Sequence, residues 1–444
     1  MKIVWGIDKV IAENLAPFQM PGHKGRIEQA IYQYDMTEIP GTDNLFNPKD
    51  IILDTMRLIA DTFGASHSFI SVNGATGAVL GALSTAFNKG DEVIMMRNSH
   101  ISVYDGVFLL GIKPVYIYPD ENMLERLKEL VTDSTKGVVL TTPSFYGEVI
   151  EDDVFEFLVE KGVTIIVDES HGSHLKLIDE ELSSMRYADI VVHSFHKTLP
   201  SMTQTAIMHL CTNKFTPSFA QKNIKLFMST SPNYVLMRSL DIAIDIYISQ
   251  GHELMQNLLA MCADFKDKLE AETDFYIVYK NGKQDKTRLL IRHKNSVDYG
   301  AIDRQLRFMG VQSEFSSQLG LLMMPSIMTI QEDFDRLLDA LKRVVIQEIE
   351  PVYYKIFRPE QGLPIREAFL QPDYPLSYQD AVGHIVTEYI IPYPPGSPVI
   401  VPGEIMSREL ADYLDTFEGN IVGLEHEGYV NVIDEDKVEL AEII

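Results

Sequence analysis

The chain has 444 residues, of which 45% are hydrophobic and 23% charged, so it is long enough for two or three domains with ordinary apolar cores. Its 38 basic and 64 acidic residues give a net charge of −26, which argues against nucleic acids and anionic membranes as partners. This charge suits a cationic substrate, and an acidic surface that favours solubility would explain it at least as well.

The sequence contains no uninterrupted apolar run of membrane-spanning length and no signal-peptide pattern at its N-terminus. Its two cysteines, Cys211 and Cys262, lack metal-ligand spacing. A reducing compartment without a disulfide framework is therefore expected. We expect a cytoplasmic protein without a metal site and without membrane contact.

Residues 1–50 are rich in proline and glycine and include PGHKG at 21–25. We find no helical or strand period here, so the segment is predicted to wrap over another surface. A helix is predicted at 51–63 and a strand at 69–72, followed by a glycine-rich turn that leads into an apolar helix. The free amides of Gly74, Ala75 and Thr76 would make an anion cradle there, although tight turns with two glycines are common without a ligand.

Short apolar runs alternate with helical segments over the next 140 residues or so, which predicts a doubly wound, mostly parallel sheet. The predicted strands lie at 93–96, 115–118, 137–141, 163–167, 190–192 and 205–210. His100 follows the predicted strand 93–96. A single histidine after a strand is more often structural than catalytic.

Two of these strands end in reactive side chains. The run 163–167 ends on Asp168, with His171 close behind, and the run 190–192 is followed by His193 to Lys197. About 30 residues separate the acid from the lysine, enough for one crossover between parallel strands. An aspartate that pairs with a pyridine nitrogen and a lysine that forms a Schiff base are the two groups that pyridoxal 5'-phosphate (PLP) requires. The structural alternatives, which involve no cofactor, are that Asp168 caps a helix and that Lys197 lies on the surface.

The rest of the chain divides, in our prediction, at a long helix over 235–270 with a break at Gly251. The predicted segments are an N-terminal wrapping segment, a PLP-binding large domain, a small α/β domain and a C-terminal domain, at 1–50, 51–255, 256–349 and 350–444. The small domain has predicted helices at 301–309 and 332–349. A proline-rich loop at 391–396 is unsuited to a helix or a central strand.

These segments resemble the Orn/Lys/Arg decarboxylase family, fold-type I PLP enzymes that act on basic amino acids. The resemblance covers nearly the whole chain, and its motifs follow the family's order. They are PGHKG at 21–25, TEIPG at 37–41, NGAT at 73–76, RNSH at 97–100, DESHGSH at 168–174, SFHKTLP at 194–200, STSP at 229–232, REAF at 366–369 and IPYPPGSPVIVPGE at 391–404.

The resemblance implies a PLP-dependent transferase-like α/β fold in which Lys197 forms the internal aldimine, Asp168 pairs with the pyridine nitrogen and His100 stacks on the ring. It implies that His171 lies beside the cofactor's phenolic oxygen or the substrate. The positions similar to the family's phosphate-binding residues are Ala75, Thr76, Ser194 and His196. The expected reaction is decarboxylation of arginine, lysine or ornithine to a diamine or polyamine-type product, as in polyamine biosynthesis.

The sequence departs from the family's pattern at several positions. Ser170 replaces the usual alanine under the ring, and NGAT replaces NGTS or NGTT. GTDNLFNP, which contains Asp43 and Asn44, replaces a more usual LDDLHHP, so substrate contacts by these two residues are not implied. The N-terminus is short and has no separate receiver-like domain. Three acids, Asp43, Glu314 and Glu404, are unranked candidates for selecting the basic side chain.

A homodimer with shared sites is a further expectation. Thr230 and Ser231 belong to a hydroxyl cluster before a helix-starting proline, and chain order makes a reach back to the turn at Gly74 of the same subunit awkward. In the family, the matching segment contacts the partner's cofactor phosphate, while a simple helix cap is an equally good interpretation. The rival functions are an aminotransferase or lyase that anchors a carboxylate on Arg288 or Arg292, and a non-catalytic binding module.

Overall fold

The computed structural model describes residues 1–14, 19–21, 23–24, 26–280, 282–350, 355–393, 396–417 and 420–434. Gly22 and Gly25 of PGHKG and residues 394–395 of the proline-rich loop lie outside the described residues. The chain forms two compact units, the first built from Met1–Ala86 and Val138–Val352 and the second from Phe87–Gly137 and Tyr353–Ile444.

The helices and strands of the described residues are named here in chain order. Up to residue 117 they are α1 (Lys2–Ala12), α2 (Ile31–Tyr34), α3 (Ile51–Phe63), β1 (His67–Ser71), α4 (Gly74–Ala86), β2 (Glu92–Met96), α5 (Ile101–Leu110) and β3 (Lys113–Ile117). Up to residue 210 they are α6 (Met123–Leu130), β4 (Thr135–Thr141), α7 (Asp152–Lys161), β5 (Thr164–Asp168), α8 (Leu175–Ile178), β6 (Ile190–Ser194), α9 (Phe195–Thr198) and β7 (Ala206–Leu210).

The second half of the chain begins with helices. Up to residue 341 the elements are α10 (Pro217–Ile224), α11 (Tyr234–Glu272), β8 (Phe275–Val278), β9 (Leu289–His293), α12 (Tyr299–Phe308), β10 (Phe315–Ser317), β11 (Gly320–Met323) and α13 (Gln331–Leu341). The remaining elements are α14 (Ile365–Phe369), β12 (Asp373–Ser377), β13 (Ile391–Tyr393), α15 (Arg408–Asp415), β14 (Asn420–Val422) and β15 (Tyr429–Ile433). Short 3-10 helices lie at Glu180–Leu182, Ser184–Arg186 and Lys225–Phe227.

The first unit contains strands in the order β1-β7-β6-β5-β4. Strands β5 and β6 are parallel neighbours, and β7 runs antiparallel to both β6 and β1. All residues of β5, β6 and β7 are buried, as expected for β-branched, apolar strands that are covered on both faces. Two antiparallel steps give β1 the direction of β5 and β6, so all three have their carboxyl ends at one edge.

A second sheet in the first unit follows the order β10-β11-β9-β8 and is antiparallel throughout. It contributes the small α/β part that the sequence predicts after the long helix. Helix α13 is shorter than the predicted 332–349, because it ends at Leu341 and is followed by irregular chain.

The long helix α11 runs without interruption through Gly251, so the predicted break there is wrong. Gly251 is buried, and a Cβ at this position would lie 3.0 Å from Cδ2 of Leu177 in α8. The glycine therefore serves close packing between two elements rather than a change of direction. Residue 255, the predicted boundary between large and small domains, lies inside this helix, and the four-segment division stays a prediction.

The N-terminal segment begins with a helix that the sequence analysis missed. Helix α1 buries Ile3, Gly6 and Ile7, which lie on one face at helical spacing, and packs on α3 and α11. A Cβ at Gly6 would lie 2.4 Å from Cδ1 of Ile51, so glycine allows the close approach to α3. The statement that residues 1–50 lack a helical period is therefore wrong for residues 2–12.

The second unit pairs β2 with β3 in parallel and adds the antiparallel pairs β12–β15 and β13–β14. Its C-terminal part has its own apolar core. That core contains Tyr378, Ala381, Val386, Ile390, Ile400, Met406, Leu410, Ala411, Leu414, Val430 and Val432. Within the described ranges, no helix is both long and apolar enough to cross a bilayer.

Candidate active site

Lys197 lies in the short helix α9, three residues after the end of β6. Its Nζ is 3.0 Å from Nε2 of His171. The side chain retains exposed surface, yet enough protein surrounds the amine that desolvation lowers the pKa of Lys197. Asp168 and Glu314 oppose this shift, and Arg288 adds to it. The neutral, nucleophilic amine is therefore formed more readily than on an ordinary lysine.

Asp168 ends β5 and lies opposite Val192 of β6 in the parallel register. Its side chain is 5% exposed. Its Oδ1 accepts a hydrogen bond from the backbone N–H of Ser170 at 3.1 Å, and the Ser170 hydroxyl donates to the same oxygen. The expected adjacency of the two strand ends is confirmed, since acid and lysine project from neighbouring parallel strands at one edge.

His171 is held by a buried arginine and by an aromatic ring. Arg288 donates from Nη2 to the His171 carbonyl at 3.2 Å. The Phe145 ring, which follows β4, packs edge-on against the imidazole with centroids 5.1 Å apart. Phe315 of β10 packs on Phe145 at 5.0 Å. This pair of rings gives the histidine an apolar wall on one side.

Asp285 anchors the arginine behind His171. Burial by itself would raise the pKa of Asp285, but His174 and Arg288 outweigh it and hold the pKa well below the usual range. The His174 Nε2 lies 3.0 Å from Oδ2 of Asp285, and the Thr287 hydroxyl donates to Oδ1 at 2.7 Å. Arg288 is 1% exposed. It is therefore committed to this cluster and to the His171 carbonyl.

The glycine-rich turn at the end of β1 lies at the same edge of the sheet. Helix α4 begins at Gly74, whose φ is +66°. The Gly74 N–H donates to the Gln204 carbonyl at 2.8 Å, so this amide is not free as the sequence analysis expects. A Cβ at Gly74 would meet no atom within 4 Å. Ala75 and Thr76 follow in the first helical turn, where amides have no intrahelical acceptor. The turn is an open anion cradle on the strand-end edge.

Ser194 is the last residue of β6, His196 lies two residues later, and their side chains contact each other. The Ser194 Oγ lies 3.3 Å from Nδ1 of His196, and that nitrogen lies 3.1 Å from the Thr205 carbonyl. Burial lowers the pKa of His196, partly offset by its bond to the Thr205 carbonyl. The imidazole is therefore a neutral hydrogen-bonding group, with its Nδ1–H donated to that carbonyl.

Thr230 and Ser231 are exposed in the segment before α11. Close to them, the Asn73 side-chain amide donates to the Phe227 carbonyl of the same chain at 2.8 Å. This contact shows that the segment does approach the glycine-rich turn within one subunit, so the argument that such a reach is awkward is wrong. A contact across a dimer interface stays a prediction.

His100 belongs to the second unit and is the N-cap of α5. Its Nδ1 accepts a hydrogen bond from the Ser102 backbone N–H at 3.2 Å and lies 2.9 Å from the Ser102 hydroxyl. These contacts fix the orientation of the imidazole within its turn. The ring-stacking role of His100 stays a prediction.

The three acids proposed for substrate selection lie in different surroundings. Asp43 accepts hydrogen bonds from the backbone amides of residues 44, 49, 50 and 52. Glu404 is 1% exposed and pairs with Arg97 in the second unit. Glu314 is exposed beside β10, and its charge acts on both Lys197 and Arg288. Of the three, only Glu314 combines exposure with proximity to the lysine.

Sequence reasoning missed a buried chain of hydrogen bonds next to Asp168. Glu169 accepts from the Ser183 hydroxyl and the Ser184 N–H, both at 2.8 Å, and its Oε1 lies 3.0 Å from Nε2 of His193. The Nδ1 of His193 lies 3.1 Å from Nε2 of His209. A charged residue directly after a buried strand, and a histidine inside another, were the available signals.

The model of the Orn/Lys/Arg decarboxylase major domain matches residues 16–289, and the model of the C-terminal domain of the same family matches residues 374–427. The chain belongs to the Orn/Lys/Arg decarboxylase family. By class it is a carboxy-lyase.

Relatives of this chain match over different shares of its length. The arginine decarboxylase of Bacillus subtilis is 28% identical over 95% of this chain and 94% of its own length. The arginine decarboxylase of Halalkalibacterium halodurans is 28% identical over 94% of this chain and 92% of its own length. The lysine decarboxylase LdcA of Pseudomonas aeruginosa matches 52% of this chain and 38% of its own length at 21% identity.

Solved structures confirm the predicted fold-type I α/β architecture. The lysine decarboxylase of Francisella novicida superposes with a TM-score of 0.84 over 98% of this chain and 81% of its own, at 17% identity. The constitutive lysine decarboxylase of Escherichia coli superposes with a TM-score of 0.81 over 97% of this chain and 81% of its own, at 18% identity. The serine palmitoyltransferase of S. paucimobilis, solved with PLP and myriocin, gives 0.55 over 65% and 75%, at 16% identity.

The residues at the strand-end edge of this decarboxylase fit PLP. Lys197 provides an amine of lowered pKa, Asp168 a buried carboxylate, and the open turn at Gly74 a cradle for a phosphate group. These three groups correspond to the aldehyde, the pyridine nitrogen and the phosphate of the cofactor.

Proposed function

We propose that this chain is a PLP-dependent decarboxylase of a basic amino acid, with arginine as its substrate. The observation that carries the proposal is the pair of strand ends, with Asp168 on β5 and the Lys197 amine 3.0 Å from His171 after β6. Arginine is favoured because the relatives that match over at least nine-tenths of this chain include several named arginine decarboxylases.

Each part of the cofactor has a counterpart in the first unit. Lys197 would hold the aldehyde group, Asp168 the pyridine nitrogen, and the amides of Ala75 and Thr76 the phosphate, together with Ser194 and His196. The Gly74 N–H is already donated to the Gln204 carbonyl. When bound, PLP supplies an electron sink for the electron pair that remains when the carboxylate leaves as carbon dioxide. A neutral His196 adds a hydrogen-bonding group rather than a charge.

His171 is the group that we propose to exchange a proton with the Lys197 amine. Its Nε2 lies within hydrogen-bond distance of Nζ, which is the first requirement for a general base or acid. The Arg288 bond to the His171 carbonyl fixes this residue, and Phe145 restricts the access of water on one side of the imidazole. The histidine therefore works from a fixed position.

Decarboxylation is favoured over the aminotransferase alternative by the state of two arginines. Arg288 is buried and committed to Asp285 and the His171 carbonyl, and Arg292 is exposed on β9. Neither arginine is therefore arranged to bind a substrate carboxylate. A reaction that expels this carboxylate has less use for such an anchor.

We propose Glu314 as the acid that binds the cationic end of the substrate. It is the exposed member of the three candidates and its charge acts on Lys197, whereas Glu404 is ion-paired and Asp43 is bound by backbone amides. We further propose a homodimer, in which the exposed Thr230 and Ser231 contact the partner's cofactor phosphate, and a cytoplasmic location, supported by two cysteines without a disulfide.

The test is to incubate the PLP-loaded protein with L-arginine, L-lysine and L-ornithine in turn and to measure carbon dioxide and oxo acid. Carbon dioxide should be released fastest from arginine and should fall to background in Lys197→Ala, while Lys222→Ala, which removes an exposed lysine of α10, keeps the wild-type rate. Oxo-acid formation would establish the aminotransferase instead. Bound cofactor without either product would identify a non-catalytic relative.

A further inference from the structure

Two hydrogen bonds from one residue end on the same oxygen of Asp168. The backbone N–H of Ser170 donates to Oδ1 at 3.1 Å, and the Ser170 hydroxyl donates to that oxygen as well. Both residues are 5% exposed, so bulk water has little access to either bond. The backbone bond alone is the ordinary turn that an aspartate forms with the residue two positions later. The hydroxyl bond is additional, because the turn does not require it.

The two bonds determine which oxygen of Asp168 is left for a ligand. The last torsion of an aspartate side chain has a broad distribution, so the carboxylate rotates unless hydrogen bonds hold it. Both side-chain hydrogen bonds that Asp168 accepts from the residues described by the structure end on Oδ1, and none ends on Oδ2. Oδ2 is therefore the oxygen that remains for an N–H donor of a bound molecule. The donors on Oδ1 also replace part of the hydration that this buried charge has lost.

Asp168 acts on the same region as the reactive amine. Its charge opposes the desolvation that lowers the pKa of Lys197. Nζ of Lys197 lies 3.0 Å from Nε2 of His171, the residue directly after Ser170. The Ser170 hydroxyl is nevertheless committed to Asp168, so its effect on a molecule held at Lys197 passes through that carboxylate.

We propose that Ser170 is a positioning residue for the cofactor, which holds the Asp168 carboxylate so that Oδ2 receives the pyridine N–H of PLP. This inference rests on the proposed function, in which Asp168 pairs with that nitrogen. Serine in place of the alanine usual in the family thus adds a donor to Asp168. Without the hydroxyl, the carboxylate keeps one bond on Oδ1, turns more freely and holds the proton on the ring nitrogen less well.

The experiment uses PLP that is isotopically labelled at its pyridine nitrogen. It records the NMR chemical shift of this nitrogen in the loaded protein and the dissociation constant of PLP, neither of which requires turnover. Ser170→Ala removes the hydroxyl and keeps the backbone bond. The matched control is Ser183→Ala, which removes another buried hydroxyl that donates to a carboxylate, in this case Oε1 of Glu169 at 2.8 Å.

In Ser170→Ala the resonance should move towards that of an unprotonated pyridine nitrogen, and PLP should bind about ten times more weakly. Ser183→Ala should keep the wild-type resonance and affinity, even where it unfolds at a lower temperature. In an Asp168→Asn background, Ser170→Ala should cost far less affinity, because residues that act through one another are not additive.

Two results would overturn the inference alone. One is an unchanged resonance in Ser170→Ala. The other is an equal loss of affinity from Ser170→Ala with and without Asp168→Asn, which would mean that the hydroxyl contacts the cofactor directly. A wild-type protein that does not bind PLP would overturn the proposed function and the inference together.

Discussion

The Lys197 amine shows how one residue type acquires different chemistry from its surroundings. Desolvation near the end of β6 lowers the pKa of this lysine, whereas the hydrogen bond that the exposed Lys268 donates to Asp264 raises the pKa of Lys268. A lowered pKa means that the folded chain binds the proton less tightly than the unfolded chain. Folding stability then rises with pH, from the pKa in the folded chain up to the ordinary lysine value of about 10.4.

Replacement of Lys197 by methionine should therefore remove a pH-dependent cost in the free energy of folding. In the cofactor-free protein, Lys197→Met is expected to be more stable than wild type at pH 7, by a margin that shrinks as the pH approaches about 10.4. Urea unfolding at a series of pH values gives this margin directly. For Lys268→Met, which removes a lysine of raised pKa, the difference in unfolding free energy from wild type should stay constant over the same pH range. A constant difference for Lys197→Met would contradict the desolvation of the Lys197 amine.

A second prediction concerns the recognition of the substrate by Glu314. If its carboxylate binds the guanidinium, Glu314→Gln loses a charge-assisted hydrogen bond of about 2 kcal/mol, so KM for arginine should rise roughly thirtyfold. Steady-state carbon dioxide release measures this change. Glu332→Gln, at an exposed position of α13, should leave KM unaltered. An unchanged KM in Glu314→Gln would assign the cationic end of the substrate to another residue.

Sequence could identify Asp168 and Lys197 because each follows an apolar strand, and the ends of neighbouring parallel strands meet. It could not identify the support of His171, since Arg288 is 117 residues away along the chain and contacts it through a carbonyl that every residue possesses. The sequence also could not predict that Glu404 is ion-paired, because its partner Arg97 lies 307 residues earlier.

At the scale of elements, a chain of polar groups crosses from the end of β5 through β6 and β7 to β1. Carboxylates only accept, so His193 donates from Nε2 to Glu169, and its Nδ1 accepts from Nε2 of His209. The Ser68 hydroxyl then donates to Nδ1 of His209 at 2.8 Å. Burial keeps the pKa of His209 well below its usual value, which agrees with this neutral tautomer.

The carboxylate at the end of this chain should be important for stability. In Glu169→Gln the amide nitrogen replaces one carboxylate oxygen, so either the Ser184 N–H or the Nε2–H of His193 loses its acceptor inside the protein. We expect a loss of about 2 kcal/mol in the free energy of unfolding, since an unmet buried donor costs roughly 1–3 kcal/mol. Urea denaturation is the measurement. Glu148→Gln, which removes the exposed partner of Lys280, should cost less than about 1 kcal/mol, and equal losses would contradict the argument.

Apolar runs predicted the strands β5 and β6 to within a residue or two, because a fully buried strand must be apolar throughout. They failed for α1, where Gly6 lowers the helical signal and only the approach of α3 explains the glycine. Gly251 misled in the same way, since a glycine that serves helix packing looks like a helix break. In both cases the decisive neighbour is distant in sequence.

At the scale of the whole molecule, a shared site makes a prediction that no single subunit can satisfy. Lys197→Ala and the double variant Thr230→Ala/Ser231→Ala should each be inactive alone. In a hybrid dimer with shared sites, one site would carry both lesions and the other none. Equal mixing with full exchange should therefore return about a quarter of the wild-type activity.

Carbon dioxide release after mixing reads out this result, and mass spectrometry of differently tagged subunits verifies the exchange. The contact between Asn73 and Phe227 within one chain offers the alternative that Thr230 and Ser231 serve their own subunit. Exchange without any recovered activity would establish that alternative.

The second unit is discontinuous, because Val138–Val352 of the first unit separates its two segments. During translation, Phe87–Gly137 leaves the ribosome long before Tyr353–Ile444 exists. At about 5–20 residues per second, the intervening chain takes roughly 10–40 s to synthesise. Arg97 must spend this time without Glu404 and with its guanidinium hydrated. The nascent chain can thus bury this arginine only after the segment that carries Glu404 has left the ribosome.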